Sequence, residues 1–313
     1  MKKFFPVFLA LTIFNLSCDD GDIITTYLDF DDVNLQTCGE LVFYKTKDDT
    51  NETLSLKLTN PQYTFIAPVN DTIPVEENNI LFVDENGEGV KLATINGTSN
   101  TFNYRTYSSE PDNVFCNDVP PSNIDIQEDL SSDTGLATIT TTLTEDDNDG
   151  IPSEDEDVNG DGNLDNDDTD GDGIPNYLDE DDDGDNVYTI DEIDFDEETD
   201  ELILIDTDED EIPNYLDSDD DGDNVNTIDE ENLTQDNNPT NDVTTPGAGP
   251  DYLNPLVATT VTAAAYREHN IYQTYTIKVE VEDILLPGLT QDYFDMGDIE
   301  FHDEREVTPE FGD

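Results

Sequence analysis

The chain has 313 residues, and its 80 Asp and Glu residues against 10 Lys and Arg residues give it a formal charge of −70 at pH 7. This excess excludes nucleic acids and anionic lipid head groups as electrostatic partners, because their charge has the same sign. Only 34% of the residues are apolar and none is Trp, so one large core is not expected. The composition predicts modest cores, or disorder wherever cations do not neutralise the acids.

The N-terminal residues have the charge order of a secretory signal. Lys2 and Lys3 precede an apolar run over 4–16 that is too short to span a bilayer. The sequence Leu-Ser-Cys that ends at Cys18 resembles a bacterial lipoprotein signal. The resemblance implies a signal peptide over 1–17 and a lipid on Cys18 that anchors the chain to a membrane of the cell envelope. The expected location is the outer membrane or the surface of a diderm bacterium, with the leaflet left open. The alternative is an ordinary signal peptide.

Two further cysteines remain, Cys38 and Cys116. In an exported protein an even pair predicts a disulfide, which on the loop-entropy model would stabilise the fold by roughly 4 to 5 kcal/mol. Two free buried thiols are the alternative.

The N-terminal region, 18–144, alternates apolar and polar residues with period two, which is typical of antiparallel strands with one solvent-exposed face. The positions that alternate with polar neighbours are Leu54, Leu56 and Leu58; Phe102 and Tyr104; and Ala137, Ile139, Thr141 and Leu143. Turn signals separate these runs at Asn60-Pro61, Asn86-Gly87 and Asn96-Gly97. The pattern predicts a mainly β fold, an antiparallel β-sandwich-like domain.

The same alternation returns in the C-terminal segment, 255–313. Its apolar positions are Tyr275, Ile277, Val279 and Val281. The segment is short for an independent domain. It either completes the N-terminal sandwich, with the acidic middle inserted, or forms a small β module of its own. Residues 231–254 contain Pro and Gly and are predicted to be a linker.

The middle of the chain, 145–230, is different in composition. It holds 40 acids in 86 positions, and no Lys or Arg lies between Arg105 and Arg267. The stretch 168–192 recurs at 206–230 with 21 of 25 positions identical. Such a close internal repeat predicts an ordered array rather than a solvated acidic spacer.

The acids follow the spacing of a twelve-residue calcium loop, in which side chains at positions 1, 3, 5, 9 and 12 and the backbone carbonyl at position 7 supply oxygens. Six loops fit, and we number them in chain order. The predicted ligands are Glu145, Asp147, Asp149, Ile151, Ser153 and Glu156 in loop 1; Asp157, Asn159, Asp161, Asn163, Asp165 and Asp168 in loop 2; Asp168, Asp170, Asp172, Ile174, Asn176 and Asp179 in loop 3; Asp181, Asp183, Asp185, Val187, Thr189 and Glu192 in loop 4; Asp206, Asp208, Asp210, Ile212, Asn214 and Asp217 in loop 5; and Asp219, Asp221, Asp223, Val225, Thr227 and Glu230 in loop 6.

Position 6 of each loop must reverse the chain, so the sequence predicts a positive φ there. Asn186 and Asn224 replace Gly in loops 4 and 6, and Asn tolerates this conformation. Glu211 takes that place in loop 5 and should cost of order 1 kcal/mol. Loop 5, and loop 1 with Glu145 at position 1, are expected to bind calcium more weakly.

The loops follow one another at intervals of mostly 11 to 13 residues, so that one begins where another ends. This tandem packing resembles thrombospondin type 3 repeats in a cysteine-free bacterial form, over 145–230. The resemblance implies an array that calcium holds together and that is extended without it. Loop 2 also resembles a dockerin loop, but the helix expected after such a loop is missing from the sequence.

We find no catalytic motif, so the sequence does not predict an enzyme. The expected function is that of a calcium-binding envelope or cell-surface lipoprotein, whose repeats form a calcium-stiffened spacer or an adhesion module for a surface protein or glycan. A dockerin-like assembly module and an envelope enzyme with an unrecognised site in the β domain are the alternatives.

Overall fold

Two antiparallel sheets pack face to face in the computed structural model, which describes residues 27–38, 41–59, 64, 79–84, 86–117, 119, 121–199, 201–289, 291–309 and 311. The first sheet has the order β1-β2-β3-β5-β6 and the second the order β11-β10-β7-β4. The strands are β1 (Gln36–Thr37), β2 (Val42–Lys47), β3 (Glu52–Leu58), β4 (Glu88–Thr94), β5 (Asn100–Tyr107), β6 (Ile126–Ser132), β7 (Leu136–Asp146), β8 (Ile193–Phe195), β9 (Leu202–Leu204), β10 (His269–Glu282) and β11 (Phe294–Val307). The β8–β9 pair forms a separate small hairpin.

The core lies between the two sheets and is built from the alternating apolar positions. Tyr275, Ile277 and Val279 of β10 have no exposed surface, and neither do Leu56 and Phe102 of the opposite sheet. These side chains belong to one continuous cluster. The predicted fold class, an antiparallel β-sandwich-like domain, is therefore confirmed.

The C-terminal strands lie in the same sheet as β7. β10 pairs with β7 on one side and with β11 on the other, and Tyr272 stands opposite Asp146. The chain therefore leaves the sheet at the end of β7 and returns beside the same point at the start of β10. The whole acidic region is an insertion between two neighbouring strands.

The insertion contains little regular structure. Its short 3-10 helices span Ser153–Asp155, Leu164–Asn166, Asn176–Leu178, Thr189–Asp191, Asn214–Leu216, Thr227–Asp229, Pro239–Asn241 and Asp251–Leu253. Each of the six loops ends in one of them, and the described part of the chain contains no α-helix. A small apolar cluster of Ile151, Ile193 and Tyr215 is the main core here. Among the described residues no helix is long and apolar enough to cross a bilayer.

Residues 231–254, predicted to be a linker, are folded around two fully buried carboxylates, Asp242 and Asp251. Asp242 accepts hydrogen bonds from the backbone N–H groups of Leu233 and Thr234. Asp251 accepts one from the backbone N–H of Thr244, seven residues earlier, at 2.9 Å. Backbone groups thus find partners inside the segment, which a solvated linker would leave to water.

The predicted disulfide is wrong for this structure, because Cys38 and Cys116 are free thiols. Cys116 Sγ lies 3.2 Å from the Tyr44 hydroxyl. Burial, and then the hydrogen bond with Cys116, raise the pKa of the Cys38 thiol to about 11. Since the thiolate is the reactive form, a raised pKa opposes oxidation. The predicted signal peptide over 1–17, Cys18 and the turn at Asn60-Pro61 lie outside the described residues.

Candidate metal centre

The backbone of each acidic loop is folded around its own aspartates. In all six loops the backbone N–H at position 7 donates to Oδ1 of the Asp at position 5. The pairs are Ile151 with Asp149, Asn163 with Asp161, Ile174 with Asp172, Val187 with Asp185, Ile212 with Asp210, and Val225 with Asp223. Such Asx turns are the local reason why Asp recurs at every second residue.

Position 6 has the conformation that the sequence predicts. Its φ is 71° at Asn186, 74° at Asn224 and 84° at Glu211, and it is also positive at Gly150 and Gly173. In loops 2 to 6 the position 6 N–H donates to Oδ2 of the residue at position 1. This bond closes the loop, and in loops 3, 5 and 6 the carboxylates at positions 1, 3 and 5 lie close together.

The loops bring carboxylate oxygens together in five groups within the described chain. The oxygens of each group lie within 4.8 Å of one another. The groups are Asp147, Asp149 and Glu156; Asp168, Asp170 and Asp172; Asp183, Asp185, Glu192 and Asp220; Asp206, Asp208 and Asp210; and Asp219, Asp221 and Asp223. The first and third are wholly buried, whereas the Asp206 group is exposed.

Many of the grouped oxygens have no hydrogen-bond partner although they are buried. At positions 3 and 5, Oδ1 of the aspartate accepts a hydrogen bond from a backbone N–H, whereas Oδ2 has no such donor. The unpartnered Oδ2 atoms include those of Asp147, Asp149, Asp172, Asp183, Asp185, Asp221 and Asp223, and both carboxylate oxygens of Glu192 and Glu230 are unpartnered as well. A buried charged oxygen without a partner is strongly destabilising, so these atoms require a cation, a proton or a bound water.

The pKa values show the same requirement. Burial, followed by repulsion from neighbouring acids, raises the pKa of Glu156 to about 8 and that of Glu230 to about 9. Burial likewise raises the pKa of Asp147 to about 10 and places those of Asp185 and Glu192 well above their usual range. Without a cation, these groups would hold protons at neutral pH.

Sequence reasoning missed two acids, Asp182 and Asp220, at position 2 of loops 4 and 6. A twelve-residue calcium loop uses no side chain at position 2, so both were left out. The structure buries both residues and leaves all four of their carboxylate oxygens without a partner. A signal was present, because the run Asp-Asp-Asp-Gly-Asp-Asn is identical in both copies of the repeat.

The side chains at position 9 bind position 2 of their own loop. Asn176 accepts a hydrogen bond from the backbone N–H of Thr169 at 3.0 Å, and Asn214 accepts one from Thr207 at 2.9 Å. Thr189 accepts one from Asp182 at 3.4 Å, and Thr227 accepts one from Asp220 at 3.3 Å. In this structure, these predicted ligand side chains therefore stabilise the backbone at the start of loops 3 to 6.

Three predicted ligands outside the five groups have other partners. Glu145 is part of β7, where its carboxylate contacts Arg305 Nε at 3.3 Å. Ser153 donates to Asp146 Oδ2 at 2.8 Å. Asp179, at position 12 of loop 3, contacts Nδ1 of the buried His269 at 2.6 Å.

Loop 2 is the most exposed of the array. In the described chain, Asp157, Asp161 and Asp165 form no group of three acids. Asn159 donates through Nδ2 to Asp167 Oδ1 at 2.9 Å. The dockerin-like alternative needs a helix after this loop, and here the loop ends in the three-residue 3-10 helix Leu164–Asn166.

The array is attached to the sandwich by the segment that leads into β10. Arg267 lies over the ring of Tyr188 at 3.4 Å and donates to the backbone carbonyl of Asn186 at 3.0 Å. The backbone N–H of Asn270 donates to Glu180 at 2.8 Å. Loop 4 is thus held directly against the end of the second sheet.

One comparison with known proteins found a similarity. A family model described as BamM C-terminal matches residues 146–204, which run from the end of β7 through loops 1 to 4 to β9. The match covers 59 of the 313 residues and points to a protein associated with the bacterial outer membrane. The searches of the curated proteins and of the solved structures found no match.

Proposed function

We propose that this chain is a calcium-stabilised, non-catalytic module of the bacterial outer membrane, in which the array over 145–230 is a stiff spacer or a binding surface beside a β-sandwich. The lipid anchor at Cys18 and the likeness to thrombospondin type 3 repeats belong to this proposal. A surface protein or a glycan is the proposed partner.

One observation carries the proposal: buried carboxylates converge in groups with oxygens that nothing else satisfies. The donors are oxygens only, which suits a hard cation and not zinc, which prefers nitrogen and sulfur. Calcium fits better than magnesium because calcium accepts many protein oxygens in irregular geometry, whereas magnesium keeps several waters. The residues that would hold it are those of the five groups, with backbone carbonyls at position 7.

Calcium would supply the cohesion that apolar packing here does not. The main apolar cluster of the insertion contains only Ile151, Ile193 and Tyr215 as buried members. Two unit charges at 4 Å repel by about 4 kcal/mol at an effective dielectric constant of 20, and each group holds at least three such charges. A bound cation turns that repulsion into attraction. The array should therefore be rigid with calcium and expanded without it.

The test is a calcium titration of the full chain by calorimetry, with small-angle scattering and limited proteolysis before and after chelation. We expect binding in the extracellular range of about 10⁻⁴ to 10⁻³ M and stabilisation by about 2.7 kcal/mol per site at a hundredfold excess. Chelation should increase the radius and open cleavage sites within 145–230. The proposal is contradicted if calcium releases or absorbs no more heat of binding than magnesium does. It is also contradicted if the chelated protein keeps the same radius and the same resistance to protease. Magnesium at equal concentration is the control.

A further inference from the structure

Asp182 and Asp220 have no role within their own loops that explains their burial. Asp182 and Asp220 are 1% and 2% exposed, and no N–H or hydroxyl group donates a hydrogen bond to any of their four carboxylate oxygens. Burying two charged groups in this way is among the most costly arrangements that a protein can adopt, unless a counter-ion is present.

The carboxylate of Asp220 faces acids that belong to an earlier loop. Asp220, from loop 6, lies within 4.8 Å of Asp183, Asp185 and Glu192 of loop 4. Asp182 is the equivalent position 2 residue of loop 4 and is equally buried, with both carboxylate oxygens unpartnered. After burial, the charges of Glu156 and Asp149 in loop 1 contribute most to its raised pKa. The sequence repeat therefore suggests for Asp182 and loop 1 the relation that Asp220 has to loop 4.

We propose that Asp182 and Asp220 are calcium ligands that each close a centre built by an earlier loop, so that bound calcium cross-links loops distant in sequence. Centre A consists of Asp147, Asp149, Glu156 and Asp182, and centre B of Asp183, Asp185, Glu192 and Asp220. The inference rests on the proposed function, since it assigns ligands to the same cation.

The two centres are joined through a single peptide bond. In this proposal loop 4 gives Asp182 to centre A, and the next residue, Asp183, belongs to the group that forms centre B. Occupation of one centre therefore fixes the backbone that the other centre needs. Binding at A and B should be positively cooperative, because the first ion bears the ordering cost for the second.

The protein carries a built-in reporter for each centre. It has no Trp, so Tyr is the residue that sensitises the luminescence of bound terbium, a cation that replaces calcium at oxygen sites. Tyr215 packs with Ile151 of loop 1, and after burial the charges of Asp182 and Glu156 contribute most to its raised pKa, so Tyr215 is the reporter chosen for centre A. Tyr252 is buried, and after burial the charges of Glu192 and Asp220 contribute most to its raised pKa, so Tyr252 is the reporter chosen for centre B.

The experiment measures terbium luminescence and calcium stoichiometry of the full chain. In an otherwise wild-type chain, the single substitutions Tyr215→Phe and Tyr252→Phe should each remove a separate fraction of the terbium emission. Asp182→Asn should remove the fraction that depends on Tyr215 and one bound calcium ion. Asp220→Asn should do the same for the fraction that depends on Tyr252. Loss of cooperativity in either variant is also expected.

Asp191→Asn is the matched control, because Asp191 is an exposed acid of loop 4 next to Glu192. It makes the same change of charge and should leave both fractions and the stoichiometry intact. Each aspartate variant also controls for folding of the other, since at saturating terbium its unaffected centre must still emit. If both variants bind as many ions and emit as strongly as Asp191→Asn, the inference is wrong while the proposed function stands. If the wild-type chain binds neither terbium nor calcium, both the inference and the proposed function are wrong.

Discussion

Replacement of Glu156 by glutamine should have opposite effects on stability with and without calcium. Glu156 is 1% exposed and belongs to the buried group with Asp147 and Asp149. In calcium, the substitution removes a proposed charged ligand and should destabilise the insertion. After chelation, it removes a charge that is buried among like charges and should stabilise the same region.

The pKa of Glu156 gives the size of the second effect. Burial raises it from 4.5 to about 8. Each pKa unit corresponds to about 1.4 kcal/mol, so the ionised carboxylate costs up to about 5 kcal/mol above pH 8. Because the folded-state pKa is raised, the penalty is absent below pH 4.5 and grows as the pH rises to about 8. The chelated wild type should therefore lose stability between these values.

The assay is urea unfolding followed by circular dichroism at pH 5 and pH 8, in calcium and after chelation. Glu154→Gln is the control, because Glu154 is exposed and lies two residues away. We expect the chelated Glu156→Gln variant to gain stability over the wild type at pH 8 and little at pH 5. A loss of stability in both calcium and chelator would refute the reasoning, because it would mean that the carboxylate stabilises the fold without a cation.

Three further substitutions test separate features of the array. Gly184→Ala should weaken terbium binding at loop 3, because a Cβ at this position would collide with the Asp170 carboxylate and a φ of +68° costs about 1 kcal/mol with a side chain. Glu211→Gly should raise the thermal midpoint of the calcium-bound array by relieving a similar strain of about 1 kcal/mol at φ 84°. Arg267→Ala should cost about 1 to 2 kcal/mol through its lost stacking on Tyr188, and proteolysis between the array and β10 should then accelerate.

The sequence by itself determined the elements that depend on local periodicity. Alternation over Tyr275 to Val281 predicts a strand with one buried face, because successive side chains of a strand point to opposite sides. The spacing of Asp181, Asp183 and Asp185 similarly predicts a loop that turns at Asn186, where φ is 71°. Both patterns are set by neighbouring residues, so no distant contact is needed to recognise them.

Only the tertiary structure decided which distant residues meet. β10 pairs with β7 although more than a hundred residues separate them, because backbone groups of both strands need partners and the insertion begins and ends at one point of the sheet. Position 2 of a calcium loop faces away from its own ligands, and for that reason Asp182 and Asp220 looked unimportant. Their burial among other acids makes both residues candidate calcium ligands. The spacing within one loop contains no information about which other loop lies against it.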